Sequence, residues 1–255
     1  MKAMIFAAGI GSRLKPFTDY HPKALVEIGG KPMLGRVIEK LKSYGVNEIV
    51  VNVHHFAEQI IDYIQSNNQF GVTIHISDEA DRLLDTGGGI LAARRWLAGC
   101  DPFIVHNADI LTDFDLKNMY DFAESRQSMA TLLVAERKTK RYLLFDPDNL
   151  RMEGWVNIES GELRPRTITQ YDSLLRRAFG GVHIVSPDIF PELQRFADKI
   201  DNSSIPKFSI TDFYISRCAD LNILGFEPAT TYRWHDIGKP EALKAANMDF
   251  SNMQY

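Results

Sequence analysis

The sequence predicts an α/β fold: a mixed, mostly parallel sheet flanked by helices, with a small antiparallel insertion in its second half. Three observations carry this prediction. Short apolar runs recur at Lys2–Ala7, Glu48–Val53, Val72–Ile76 and Pro102–His106. Segments with apolar residues at helical spacing separate them, and such alternation is the pattern of a sheet covered on both faces. From residue 141 to 185 the helical periodicity fades, and short strand-like runs follow one another instead.

Lys2 to Ala7 reads as a short buried strand that opens into a long polar loop, with nothing helical before about Lys31. Pro32 to Tyr44 then places Met33, Leu34, Val37, Ile38 and Leu41 on one helical face. Pro32 suits its first turn and Gly45 its stop. Ile49, Val50, Val51 and Val53 mark a strand, Phe56 to Gln65 a helix, and Val72 to Ile76 a further strand. Gly88 to Ala98 reads as a helix leading to the strand Pro102–His106, which ends at Asn107-Ala108-Asp109. A helix near Leu116–Ser125 and a strand at Met129–Ala135 complete the first half. The insertion has strand candidates at Tyr142–Phe145, Gly154–Ile158 and Gly181–Val185. Helices at Pro187–Ala197 and Ile210–Ala219, a strand at Arg233–Asp236 and a helix from Pro240 follow. No linker-like composition or internal repeat divides the chain, so residues 1 to 255 are read as one domain with halves meeting near residue 135.

The 255 residues are 45% apolar, an ordinary globular composition. The 29 basic and 33 acidic side chains leave a formal charge of −4. That balance gives no bulk attraction to nucleic acid or anionic membrane, so any basic site must be local. Cys100 and Cys218 are too few for a disulfide framework and lack metal-ligand spacing; ordinary reduced thiols are expected. The N-terminal apolar run stops too early for a signal peptide, and no stretch approaches the ~20 apolar residues of a membrane helix. The expectation is a cytoplasmic protein with no nucleic-acid or membrane partner, acting as a monomer or small homo-oligomer.

Gly9 to Lys23 is the most informative segment. Glycines after a strand let backbone N–H groups approach a phosphate closely. Two commoner glycine motifs fail here. A dinucleotide fingerprint needs glycine at position 14, which is Leu14, and a P-loop needs Ser or Thr after Gly30-Lys31, which is Pro32. What remains is a Gly loop carrying Arg13, Lys15 and Lys23, stiffened by Pro16 and Pro22. Fixed cations beside exposed backbone donors suit a triphosphate; a solvated basic loop is the bland alternative. Asp109 ends a strand, where ligands of open α/β sheets bind, and Asp236 follows another. Two such carboxylates suit Mg²⁺, although each taken alone better fits a cap or turn. Asp113 reads as a helix cap, and Arg137 to Arg141 as a solvated connection that could receive a phosphate.

The segment resembles the signature of sugar-1-phosphate nucleotidyltransferases, G-x-G-[ST]-R-x-x-P-x-T-x-x-x-P-K. Gly9, Gly11, Ser12, Arg13, Pro16, Thr18, Pro22 and Lys23 occupy every fixed position. The likeness continues through Asp109 and Asp236 and so covers most of the chain. It implies a Rossmann-like nucleotide-diphospho-sugar transferase fold, with nucleotide bound by about residues 1 to 135 and sugar phosphate by about 136 to 255. It implies nucleotide contacts from Ala8, Gly9, Gly11, Ser12, Arg13, Gly87, Gly88 and Asn107. It implies sugar-phosphate contacts from Lys23, Asn157 and Gly180, catalysis by Arg13, Lys23 and Asp109, and Mg²⁺ on Asp109 and Asp236. The implied reaction joins a nucleoside triphosphate to a sugar 1-phosphate and releases pyrophosphate. Ala108 stands where glycine is usual, and Ser77 to Asp81 lacks the common Pro-Leu-Gly form, which leaves the base open. Thr86-Gly87-Gly88-Gly89-Ile90 tilts the choice toward UTP. Within the family, the single-domain length is similar to N-acetylmuramate 1-phosphate uridylyltransferases and mannose- or heptose-1-phosphate guanylyltransferases. Rival expectations are a phosphocholine cytidylyltransferase, a non-catalytic nucleotide-sugar-binding protein and, least favoured, a dinucleotide-dependent oxidoreductase.

Overall fold

The computed structural model describes residues 1–99, 101–168, 171–201, 203–238 and 240–250. The chain begins with β1 (Lys2–Phe6), a short hairpin β2 (Glu27–Ile28) and β3 (Lys31–Pro32), then α1 (Met33–Ser43), β4 (Glu48–Val53), α2 (Ala57–Ser66) and β5 (Thr73–Asp78). It continues through α3 (Asp85–Ala92), α4 (Arg94–Leu97), β6 (Phe103–Asn107), β7 (Ile110–Thr112), α5 (Leu116–Ser125) and β8 (Ala130–Ala135). The second half holds β9 (Arg141–Phe145), β10 (Met152–Asn157), β11 (Glu162–Arg164) and β12 (Leu175–Val185). It closes with α6 (Ile189–Ala197), α7 (Ile210–Arg217), β13 (Ile223–Phe226), β14 (Trp234–Asp236) and α8 (Pro240–Phe250).

β1 sits at the centre, parallel to β4 on one side and β6 on the other. Buried on both faces, it reads as a continuous apolar run: Met4 packs into one core and Ala3 and Ile5 into the other. From β1 the chain steps outward to β4 and β5, then returns across β1 to lay down β6. This reversal opens a crevice at the carboxyl ends of β1 and β6, the usual ligand position in such sheets. The residues after β1 and the Asn107–Asp109 turn after β6 thereby become neighbours.

Beyond β6 the sheet turns antiparallel at β12, which carries β9, β10 and β11 on one half and β8 and β13 on the other. The antiparallel segment thus extends the same sheet, as expected. A third, smaller core joins Leu14, Val26 and Ile28 of the N-terminal loop to Leu111, Ile237 and Phe250. It clamps the loop against β7 and β14, and fixes its place relative to both aspartates.

Several local expectations are corrected. The loop before Lys31 contains short 3-10 turns at Ser12–Leu14, Phe17–Asp19 and Lys23–Leu25, too brief to leave a helical period. The helix expected at 88 to 98 starts earlier, at Asp85, and breaks at Ala93 into two. The strand at Gly181–Val185 is the end of an eleven-residue strand, whose pairing with β8 slips between Phe179 and His183. Gly181, at a φ of 75°, sits in that slip and interrupts the alternation. Asp113 does not cap α5; Asp115 does, accepting from the Lys117 N–H at 2.9 Å. Asp113 instead holds Arg233 through its backbone N at 2.6 Å and its Nε at 2.7 Å. Cys218 is buried, its thiol pushed up by that burial; Cys100 lies outside the described residues. No helix among the described residues is long and apolar enough to cross a membrane.

Two neighbouring histidines make stability depend on acid. His106 on β6 and His183 on β12 are about 1% exposed. Burial, aided by the Lys40 charge, pushes His106 down to about 3, and burial, aided by His106, does the same to His183. His183 Nδ1 still meets the Tyr214 hydroxyl at 2.8 Å. Between pH 6.5 and 3 the unfolded chain binds protons that the folded chain refuses, so stability falls as pH drops through this window. At pH 5 the loss is up to about 2 kcal/mol per histidine. Urea denaturation at pH 7 and pH 5 should show the difference, and His183→Gln should narrow it; an unchanged gap would assign the acid sensitivity elsewhere.

Candidate active site

The crevice is braced by a chain of hydrogen bonds across three strand ends. The Ala7 N–H donates to Asn52 Oδ1 at 2.8 Å, and Asn52 Nδ2 donates to Glu79 Oε1 at 2.7 Å. Glu79 Oε2 accepts from the Leu84 N–H at 2.8 Å. Burial pushes the Glu79 carboxyl above its ordinary range, against these hydrogen bonds. The exits of β1, β4 and β5 are therefore fixed relative to one another.

The loop after β1 explains its own sequence. Gly11 has a φ of 70°, and its carbonyl accepts from Leu14 N and from Thr18 Oγ1, both at 2.9 Å. A Cβ at Gly11 would lie 2.9 Å from Lys23 Cβ and from Thr18 Cγ2. Gly11 thus lets the loop close onto Thr18 and Lys23, which ties together three fixed positions of the motif. The closure brings the Lys23 ammonium into an ion pair with Asp109, side chains 11% and 26% exposed.

The second aspartate arrives on β14. β14 lies antiparallel to β7, with Asp236 opposite Ile110, and Ile237 N donates to the Asp109 carbonyl at 2.8 Å. Two residues far apart in sequence are joined through one turn of backbone. Beyond them Gly238 leaves a gap: a Cβ there would fall 2.7 Å from Arg13 Nη2 and 2.8 Å from Asp236 Oδ1. Arg13 and Asp236 therefore flank the same small space. Asp236 Oδ1 is buried with no hydrogen-bond partner, a deficiency that a cation would relieve. The described residues hold no group of three His, Cys, Asp or Glu poised for a metal. A pair of carboxylates completed by phosphate oxygens and water is nevertheless the manner in which Mg²⁺ binds, so the donor set fits that ion.

Around these residues lies a cavity of about 400 Å³. The loop contributes Ala8, Gly9, Gly11, Ser12, Arg13 and Lys23 to its wall, and the end of β6 contributes Asn107 and Asp109. The structure brings these sequence-derived candidates together. Others stand apart. Gly87 and Gly88 are buried behind the wall, packed on Phe208 and Pro206, while Asp85 and Thr86 face the cavity. Gly180 is turned against Leu133, where a Cβ would fall 2.8 Å away, so its missing side chain opens no room for a ligand. Asn157 lines a separate cavity on β10.

Sequence reasoning passed over Asn52, Glu79 and Lys207, all of which line the first cavity. Asn52 and Glu79 stand at the exits of β4 and β5, where the carboxyl-end rule would have found them. Lys207 has no local signal; it arrives on the segment before α7. Arg137, read as part of a solvated run, is half-buried. It lies 3.4 Å from the Trp234 ring centroid and donates to the Phe179 carbonyl at 2.8 Å. Burial lowers its pKa, opposed by Tyr232 and Asp236.

Known proteins resemble this chain. The N-acetylmuramate alpha-1-phosphate uridylyltransferase of Caulobacter vibrioides is 31% identical over 252 residues, covering 96% of this chain and 94% of that protein. A protein of the same name from Neisseria meningitidis serogroup B is 43% identical over 125 residues, 49% of this chain and 54% of that protein, so there the match spans about half of each. The crystal structure of HddC from Yersinia pseudotuberculosis, complexed with GMP-PN, superposes with a TM-score of 0.70 and 26% identity over 98% of this chain and 99% of that one. The model of the nucleotidyl transferase family matches residues 2–253. With the Gly loop, the paired aspartates and the strand reversal all in place, this chain belongs to the nucleotidyl transferase family.

Proposed function

We propose that the chain transfers UMP from UTP to a sugar 1-phosphate, releasing pyrophosphate and forming a UDP-sugar. The observation that carries this reading is the meeting of Arg13, Lys23 and Asp109 in the wall of one cavity, with Asp236 beside Arg13 at Gly238, which also lines it. A mere binding protein needs the phosphate donors but not two carboxylates beside them. The uridylyl group is supported by the names of the Caulobacter and Neisseria relatives.

In this reading the triphosphate lies over Gly9 and Gly11, with its base toward Asp85 and Thr86. An oxygen of the sugar phosphate attacks the α-phosphorus in line. A new P–O bond forms, the bond to the bridging oxygen breaks, and pyrophosphate leaves with that electron pair. No general base is required, because a phosphate monoester is already an anionic nucleophile near neutral pH. Lys23 balances charge on the α-phosphoryl group and the incoming phosphate, and Arg13 holds the departing pyrophosphate. Mg²⁺, held by Asp109 and Asp236, would supply charge neutralisation on the phosphates. Asn52 and Glu79 touch no reacting atom in this scheme; they hold the strand ends in register.

A pyrophosphate-release screen tests the proposal, with the four triphosphates set against a panel of sugar 1-phosphates and phosphocholine in Mg²⁺. Release with UTP and at least one sugar 1-phosphate is expected. Release confined to CTP with phosphocholine would replace the acceptor, and tight nucleotide binding without release would replace the enzyme by a sensor.

A further inference from the structure

Asp236 stands on a strand that the main sheet does not hold. Among the described residues β14 pairs only with β7, and the two form a sheet of their own beside the ten-stranded one. Its side chains divide the task of seating it, because alternate residues of a strand face opposite ways. Arg233 and His235 turn to α8: Arg233 Nη1 donates to the Asp249 carbonyl at 2.9 Å, and His235 Nε2 meets Asp249 Oδ2 at 2.8 Å. Trp234 turns to β12 and donates its indole N–H to the Gly180 carbonyl at 2.9 Å. Asp236, two residues further on, shares the face of Trp234.

Arg137 completes this seat. Its guanidinium lies 3.4 Å from the Trp234 ring centroid and donates through Nη2 to the Phe179 carbonyl at 2.8 Å. The guanidinium and the indole therefore take consecutive carbonyls of β12. Both carbonyls stand at the start of the slip between Phe179 and His183, where the ladder with β8 is locally disrupted. The irregular stretch of β12 is thus the landing on which β14 rests. Arg137 lies in the wall of neither the first cavity nor the one that holds Asn157. Burial works against its charge, and Tyr232 and Asp236 support it. A half-buried cation whose plane is given to an indole is placed to hold a neighbour, not to receive a substrate. Asp236 Oδ1 is buried with no hydrogen-bond partner, so no bond at that atom aims the carboxylate. Its strand does.

We propose that Arg137 is a positioning residue for nucleotidyl transfer: with Trp234 it seats β14 on β12 and so holds Asp236 in place beside Asp109. This rests on the reading of Asp109 and Asp236 as the carboxylates that take Mg²⁺. The test is titration calorimetry of UTP with and without Mg²⁺, which reads the metal through binding and not through turnover. Mg²⁺ should tighten UTP binding by wild type. Arg137→Met keeps the length of the side chain and loses its plane and charge. It should cut the Mg²⁺ gain by about tenfold or more, the scale of losing a group that orients a metal ligand. Loss of a nearby cation by itself would act the other way, weakening metal-free UTP binding and enlarging the gain. Trp234→Phe, which keeps a ring and loses the bond to Gly180, should lower the gain in the same direction, and Arg137→Lys should recover part of it. In an Asp236→Ala background Arg137→Met should change the gain no further. An undiminished or enlarged gain in Arg137→Met, or a further loss in the Asp236→Ala background, overturns the inference. Should Arg137→Met fail to fold, an undiminished gain in Trp234→Phe overturns it instead. If Mg²⁺ does not tighten UTP binding by wild type, the metal reading itself falls, and the inference falls with it.

Discussion

Asp109→Ala is expected to lower kcat by about a thousandfold or more, the scale of losing a central electrostatic contact in phosphoryl transfer, while binding of UTP without metal is retained or tightened. The two halves of this expectation have one cause. Asp109 is the only carboxylate paired with Lys23 among the described residues, and that pair sits at the rim of the cavity, where the phosphates of the proposed substrates would meet. Removing the carboxylate frees a largely buried ammonium, so the rim becomes more positive and attracts the triphosphate at least as well. Turnover is lost because the proposed Mg²⁺ site keeps only Asp236. Asp109→Asn separates charge from shape: it should fall nearly as far, because the amide fills the space without carrying the charge. Steady-state pyrophosphate release and calorimetry of UTP binding read the two effects independently. Near-normal turnover of Asp109→Ala at saturating Mg²⁺ would remove Asp109 from the chemistry.

The parts of this site that were legible in the sequence are those whose cause is local. Gly11, Thr18 and Lys23 lie within one loop, and their spacing is set by a single backbone closure that the motif records. The central parallel strands were equally readable, because burial on both faces leaves an uninterrupted apolar run. What stayed hidden depends on contacts between distant segments. β7 is three residues long, too short to show a period, yet its pairing with β14, the strand read at Arg233–Asp236, places Asp236 beside Asp109. Gly87 and Gly88 of α3 were expected to touch the nucleotide; they are instead the floor on which the 206–210 segment rests. Gly180 misled for the same reason, since a glycine marks a close approach without saying what approaches. Lys207 acquires meaning only from the wall it joins.

Gly88→Ala should destabilise the fold and damage nucleotide binding together. A Cβ at Gly88 would fall 2.6 Å from the Pro206 carbonyl oxygen and 3.0 Å from Leu84 Cβ. The first of these is backbone and cannot rotate away, so the segment itself must move. That segment is pinned to the start of α3. Gly87 N and Gly88 N donate to the Phe208 carbonyl at 2.9 and 3.3 Å, Phe208 N donates to Leu84 O at 3.1 Å, and Ile210 N donates to Thr86 Oγ1 at 2.9 Å. Overpacking of this kind costs about 1–3 kcal/mol, and weakening these bonds adds to it. The same displacement shifts Thr86 and Lys207, which face the cavity, so KM for the triphosphate should rise as the melting temperature falls. Gly9→Ala provides the contrast. A Cβ there meets nothing within 4 Å, because the space it enters belongs to the cavity. Its thermal stability should match wild type while its triphosphate affinity drops, the methyl group standing where the phosphates would approach the backbone. Equal melting temperatures for Gly88→Ala and wild type would refute the packing argument, and unaltered UTP binding by Gly9→Ala would remove the phosphates from that loop.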